Sequence, residues 1–177
     1  MVILLLCQNH GKQKITSICW DDIPVELDPA GDIDLTKLVK KGRATRKRQQ
    51  LESVVHFARQ VIICGDTVVD FGCGSGHVGL LLAYLFPSIR VYLVDSEPTK
   101  LRMVDNRLQS LLQKRGVDLM ERVQSFSSIE ALQAVAFDVG VGLHTCGKCS
   151  ANLLSLVSSL CSRSPTLTRQ VCLRTSP

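Results

Sequence analysis

The sequence predicts an α/β fold, an open, doubly wound and mostly parallel sheet, on three observations. From Thr67 onward, short apolar β-branched runs alternate with helix-length amphipathic segments. The run Thr67–Phe71 carries Asp70 at its end and gives way to Gly72, Gly74 and Gly76 at alternate positions. An apolar segment of helix length, Val78 to Phe86, follows, which is strand, tight turn and helix in chain order. A second β-branched run, Ile89 to Val94, then ends in Asp95, about 20 residues past the glycines, the order in which such folds meet a nucleoside.

The other elements follow in turn. Val2 to Cys7 reads as a strand: it is too short to span a bilayer and has no basic leader or convincing cleavage site. Leu51, Val54, Val55 and Ala58 repeat at helical spacing within a helix from Ala44 to Val61. Pro98 to Gly116 is a helix with Leu101, Val104, Leu108, Leu111 and Leu112 on one face and Gly116 as its stop. Val123–Phe126 is a short strand, and Ser127 to Glu130 has capping-box spacing and opens a short helix. Phe137–Leu143 is the fourth strand of this series, apolar enough for burial in a parallel sheet. A helix from Ser150 to Cys161 and a last strand candidate, Gln170–Leu173, complete the reading. Residues 1–43 read as an N-terminal extension and 44–177 as the α/β domain, with its ligand over the C-terminal ends of the strands.

At 177 residues the chain is one domain by length, and 45% hydrophobic with 21% charged residues excludes a disordered or membrane-spanning composition. Eight cysteines raise the possibility of a disulfide scaffold. The α/β pattern and the placing of Cys64, Cys73, Cys161 and Cys172 within core elements instead point to free thiols in a reducing compartment, hence a cytoplasmic or nuclear protein.

Two glycine registers compete for the ligand. Gly74, Gly76 and Gly79 match the dinucleotide pattern, whereas Gly72, Gly74 and Gly76 match the G-x-G-x-G of S-adenosylmethionine-dependent methyltransferases. The strand decides: Asp70 stands at its last turn, where a carboxylate repels a pyrophosphate and suits a cationic amine and sulfonium. Asp70, Gly72, Gly74, Gly76 and Asp95 are therefore the candidate cofactor-binding residues, with Asp95 accepting from the ribose hydroxyls. The plainer reading of Asp95 is a start signal for the next helix.

The fourth strand runs into His144-Thr145-Cys146-Gly147-Lys148-Cys149. In this topology that loop faces the reacting group, so His144 is a candidate base and Cys146 a candidate pocket residue, the pair being the candidate catalytic set. The alternative for His144 is a single loop hydrogen bond. Cys146-x-x-Cys149 also has metal-ligand spacing, but no second pair follows, so no metal is expected. Charge is patterned too. From Asp21 to Asp34 there are six acids and no base, and then seven bases and no acid: Lys37, Lys40, Lys41, Arg43, Arg46, Lys47 and Arg48. This basic block is a candidate RNA contact; the alternatives are a solvated face or pairing with the acidic stretch.

Asp70-Phe71-x-x-Gly74-x-Gly76-His77-x-Gly79, the strand Val91 to Asp95, Gly142-Leu143-His144-x-Cys146-Gly147 and the leading segment Arg46–Glu52 together resemble a family. It is the methyltransferase domain of the glutathione S-transferase C-terminal domain-containing proteins, within the class I S-adenosylmethionine-dependent superfamily. The histidine-x-cysteine-glycine loop also resembles that of tRNA 2′-O-methyltransferases. The resemblance spans about Trp20 to Cys161 and implies a Rossmann-like methyl-donor fold and S-adenosylmethionine as cofactor. Lys148-Cys149 departs from the acidic or small residue usual after the loop glycine. Such domains build about seven strands, so this chain is expected to stop after the fourth or fifth and to leave a sheet edge uncovered. Three functions follow: a methyltransferase domain, acting on RNA in its sharpest form; a catalytically inactive methyltransferase-like module binding RNA or protein; and a nicotinamide-dependent oxidoreductase on the second glycine register.

Overall fold

Five parallel strands in the order β1-β5-β2-β3-β4 form one sheet: β1 Val2–Leu6, β2 Thr67–Phe71, β3 Arg90–Val94, β4 Val123–Phe126 and β5 Val139–Leu143. Three α-helices accompany them, α1 Lys41–Val61, α2 His77–Leu85 and α3 Pro98–Arg115. The computed structural model describes residues 2–6, 18–31, 41–132 and 135–143. The α/β, Rossmann-like class expected from the sequence is the one observed, and each described strand and helix lies within a few residues of its expected bounds. The segments Ser150–Cys161 and Gln170–Leu173 lie outside the described residues.

Alternation along the strands sorts the core into two faces. Val68, Val91, Leu93, Val139 and Val141 join the apolar stripes of α1 (Leu51, Val54, Val55, Ala58), α2 (Leu80 to Ala83) and α3 (Val104, Leu108, Leu111). Val69, Phe71 and Val94 point the other way, onto Leu132, Phe126, Ile129 and Phe137. The chain leaves β2 for β3 on one side and returns as β5 on the other. β2 is therefore the switch point at which an open parallel sheet forms a crevice.

Three expectations change, and the outer strand beside β5 is identified: β1 pairs with it in register from Val2↔Val139 to Leu6↔Leu143, so among the described residues the N-terminal run is the outermost strand on that side. Cys64 is exposed rather than in the core, because α1 ends at Val61 and the chain turns there, Asp66 Oδ2 accepting from the Ile63 N–H at 2.9 Å. Leu112 is 38% exposed, while Arg107 at 7% takes a place in the buried stripe of α3; at 100° per residue the stripe runs through 104, 107, 108 and 111. The capping-box segment forms one 3-10 turn, Glu130–Leu132, with Ser128 Oγ accepting from the Ala131 N–H.

One clamp was not visible in sequence pattern. Arg122 donates to the carbonyls of Ala83 (3.1 Å), Ile89 (3.2 Å) and Phe86 (3.4 Å), closing the C-terminal end of α2 onto the start of β3. Arg122→Ala leaves those carbonyls without their charged donor. The expected loss is about 2–3 kcal/mol, or a fall in Tm of roughly 5–10 °C for a domain of this size. Thermal unfolding followed by circular dichroism checks it; a shift under about 1 °C would mean that water replaces the guanidinium.

Candidate functional site

The turn after β2 is built by backbone conformation. Gly72, Gly74 and Gly76 all have positive φ, at 66°, 55° and 78°, which an L side chain rarely adopts. Gly76 then caps α2 in the left-handed region with no side chain involved, so the N-terminal turn of the helix follows the glycines directly. The space around the turn is uneven. A Cβ on Gly76 would come within 2.9 Å of Val104 and 3.2 Å of Leu80, whereas one on Gly74 would meet nothing within 4 Å. Gly74 thus presents bare backbone to open space. Gly79, third in the dinucleotide register, has no positive φ and serves another purpose: its missing Cβ lets α2 close on Leu93.

Asp95 locks the turn to the adjacent strand. Its Oδ2 accepts from the Gly74 N–H at 2.8 Å and its Oδ1 from the Glu97 N–H at 2.9 Å, and the carboxylate is half-buried. Cys73 adds a backbone tie, N–H to the Val94 carbonyl, while burial pushes its thiol well up. Asp70 is 1% exposed, with Oδ2 accepting from the Gly79 N–H at 2.9 Å. Burial pushes its carboxyl up to about 7; the Gly79 bond opposes the rise and the charge of Asp95 adds to it. Asp70, Gly72, Gly74, Gly76 and Asp95 are therefore brought together at the switch point. His144 and Cys146 lie outside the described residues; β5 ends at Leu143, at the same end of the sheet as the glycine turn.

Residues 18–31 form a strap fastened to the helices. Asp28 is held bidentately by Arg48, Nε to Oδ1 at 2.8 Å and Nη2 to Oδ2. Burial alone would raise the Asp28 pKa, but Arg48 and the Ala30 N–H outweigh it and leave it lowered. The Arg48 guanidinium also lies 5.2 Å from the Trp20 ring centre, and Trp20 Nε1 donates to Glu52 at 2.7 Å. One base of the basic block is thus spent on the acidic stretch that precedes it. Arg46 is exposed and donates to the Gly42 carbonyl of its own helix at 3.1 Å. Lys41, Arg43 and Lys47 lie on α1, while Lys37 and Lys40 lie outside the described residues. Sequence reasoning missed Arg107, Glu26 and His77: Arg107 donates to the Glu26 carbonyl and lies 3.2 Å from His77 Nε2.

Among the described residues, no group of three or more His, Cys, Asp or Glu is placed to hold a metal ion, and no helix is long and apolar enough to cross a membrane.

The chain is similar to the glutathione S-transferase C-terminal domain-containing proteins of Bos taurus (30% identical over 128 residues, 72% of this chain and 18% of that protein) and Xenopus laevis (30% over 131 residues, 74% and 19%). It spans about a fifth of the length of those relatives. Ribosomal RNA small subunit methyltransferase G of Trichodesmium erythraeum is 29% identical over 91 residues, 51% of this chain and 33% of that protein. Among solved structures, a cyclopropane-fatty-acyl-phospholipid synthase-like protein from Lactobacillus casei aligns with a TM-score of 0.48 at 20% identity, covering 66% of this chain and 47% of that one. Residues 46–172, from the basic start of α1 through the glycine turn and beyond β5, match the family described as a methyltransferase domain, and the chain belongs to that family.

Proposed function

We propose that this chain is an S-adenosylmethionine-dependent methyltransferase domain whose acceptor is RNA. The observation that carries the cofactor is the turn Gly72–Gly76: three positive-φ glycines, open space at Gly74, and the Asp95 carboxylate bonded to the Gly74 N–H. The residues fit the group. Each Asp95 oxygen accepts one backbone N–H and keeps a lone pair for a ribose hydroxyl. Asp70, buried beside a second carboxylate, is an environment that a cationic ligand relieves. The cofactor would supply an electrophilic methyl group on a sulfonium. The protein would hold the nucleoside on Gly74 and Asp95 and keep a carboxylate near the positive end at Asp70. His144 and Cys146, in the loop that follows β5, are the residues proposed to meet the acceptor, His144 as the base that takes its proton and Cys146 as a pocket residue.

RNA as acceptor is supported by the bases that open α1, Arg46 and Lys47 with Lys41 and Arg43, and by similarity to a protein named as a ribosomal RNA methyltransferase. The test is calorimetry with S-adenosylmethionine, S-adenosylhomocysteine and NADH. The expected result is micromolar binding of the first two and none of NADH. Binding of NADH alone would replace the reading with the oxidoreductase one. A parallel titration of tRNA is expected to weaken steeply with salt, and a flat salt response would remove RNA from the proposal.

A further inference from the structure

Helix α3 touches the glycine turn twice. Val104 packs on Gly76 closely enough that a Cβ there would lie 2.9 Å from its Cγ2. One turn later, Arg107 Nη2 lies 3.2 Å from Nε2 of His77, the first residue of α2. A guanidinium only donates, so in this contact Nε2 accepts, and the imidazole proton is expected on Nδ1. The other arm, Arg107 Nη1, donates to the Glu26 carbonyl of the strap. The Glu26 carboxylate is held on the same helix, by Ser110 Oγ at 3.3 Å and Arg115 Nε at 3.5 Å. Asp28 is within electrostatic reach of His77 as well. Arg107 and His77 are 7% and 5% exposed, so this bridge is made out of water, where leaving a guanidinium hydrogen unbonded is costly. A planar fork satisfied from two sides requires both sides to be in place at once.

We propose that Arg107 is a positioning residue for the methyl-donor turn. It ties the strap, through the Glu26 carbonyl, to the start of α2, through His77, so that strap docking and the geometry of Gly74–Gly76 form one cooperative unit. Its relevance to the cofactor rests on the proposed function above, but the coupling belongs to the ligand-free protein and is tested there. The strap has a second fastening, Asp28 to Arg48 on α1, made to a different helix, which allows it to be loosened without changing Arg107 or the glycines.

The experiment is amide hydrogen exchange on the full ligand-free chain, comparing wild type with Asp28→Asn and Arg107→Gln. Bonded amides report each region: Leu27, to the Pro24 carbonyl, for the strap, and Gly79 and Leu80, to Asp70 and the Gly76 carbonyl, for the turn. Asp28→Asn is expected to speed exchange at Leu27 and, with it, at Gly79 and Leu80 by at least about fivefold, the low end of coupling between sites. Adding Asp28→Asn to Arg107→Gln is expected to speed Leu27 alone. Imidazole nitrogen resonances supply a readout that a merely structural residue would not move: His77 protonated on Nδ1 in wild type, with that preference lost in Arg107→Gln. Turn amides that keep wild-type rates in Asp28→Asn overturn the proposal, whether or not the Arg107 variant folds. A folded chain that binds no S-adenosylhomocysteine counts against the methyl-donor reading alone.

Discussion

Replacing Asp95 with alanine is expected to raise the Kd for S-adenosylhomocysteine at least about 100-fold while leaving a folded protein. Two ribose hydroxyls donating to a carboxylate are worth about 1.5–3 kcal/mol each, and each 1.4 kcal/mol is a factor of ten in Kd. The same substitution removes the acceptor of the Gly74 N–H, freeing a turn whose three glycines have no side chains to hold it. The loss to stability is smaller, about 1 kcal/mol for an exposed capping-type bond such as that to Glu97. Asp95→Asn separates the two effects. Its single oxygen can keep one backbone N–H but not the charge, so it is expected to recover most of the Tm and little of the affinity. Calorimetry and thermal melts on the same three proteins read both quantities. Affinity within about threefold of wild type in Asp95→Ala would place the nucleoside elsewhere.

The turn and its neighbouring acid are legible in the sequence because their chemistry is local. A positive φ at alternate positions demands glycine, and a buried parallel strand before it reads as an apolar run, here broken only by Thr67 and Asp70. The strap is not legible in that way. Glu26 meets Arg107, Ser110 and Arg115 on a helix far along the chain, and no period or motif relates an acidic loop to a particular arginine. Arg107 defeats the hydrophobic pattern outright, a charged residue in a buried stripe whose place Leu112 would take by composition. Asp28 and Arg48 are a middle case: the acid-then-base run makes internal pairing one of the alternatives, and the structure realises it for that base. Pairing of β1 with β5 is equally hidden, since an apolar pentapeptide carries no mark of which parallel neighbour it will join.

Asp70→Asn is expected to change the pH dependence of both stability and ligand choice. The carboxyl lies 1% exposed and is pushed up to about 7 by burial, from an ordinary value of 3.8. Because the folded-state value is the higher one, the folded chain holds a proton between about pH 4 and 7 that the unfolded chain has released. Stability is therefore greatest below the unfolded value and is lost as pH rises through 7, by about 4 kcal/mol at about 1.4 kcal/mol per unit. An asparagine keeps an acceptor for the Gly79 N–H and carries no charge, so Asp70→Asn is expected to abolish that slope and to be the more stable protein at pH 8. Urea unfolding at pH 5 and pH 8 checks this, and parallel slopes in the two proteins would contradict it. The same carboxyl is expected to distinguish S-adenosylmethionine from S-adenosylhomocysteine. S-Adenosylmethionine carries one net positive charge and S-adenosylhomocysteine none, so the first favours ionised Asp70 and the second is indifferent to it. Binding of S-adenosylmethionine at about pH 6.5 is then expected to release protons, seen as a calorimetric enthalpy that varies with the ionisation enthalpy of the buffer. S-Adenosylhomocysteine is expected to release few, and neither compound any in Asp70→Asn. Equal proton release by both compounds would mean that the sulfonium sits beyond the reach of Asp70, leaving the buried carboxyl only its bond to the first turns of α2.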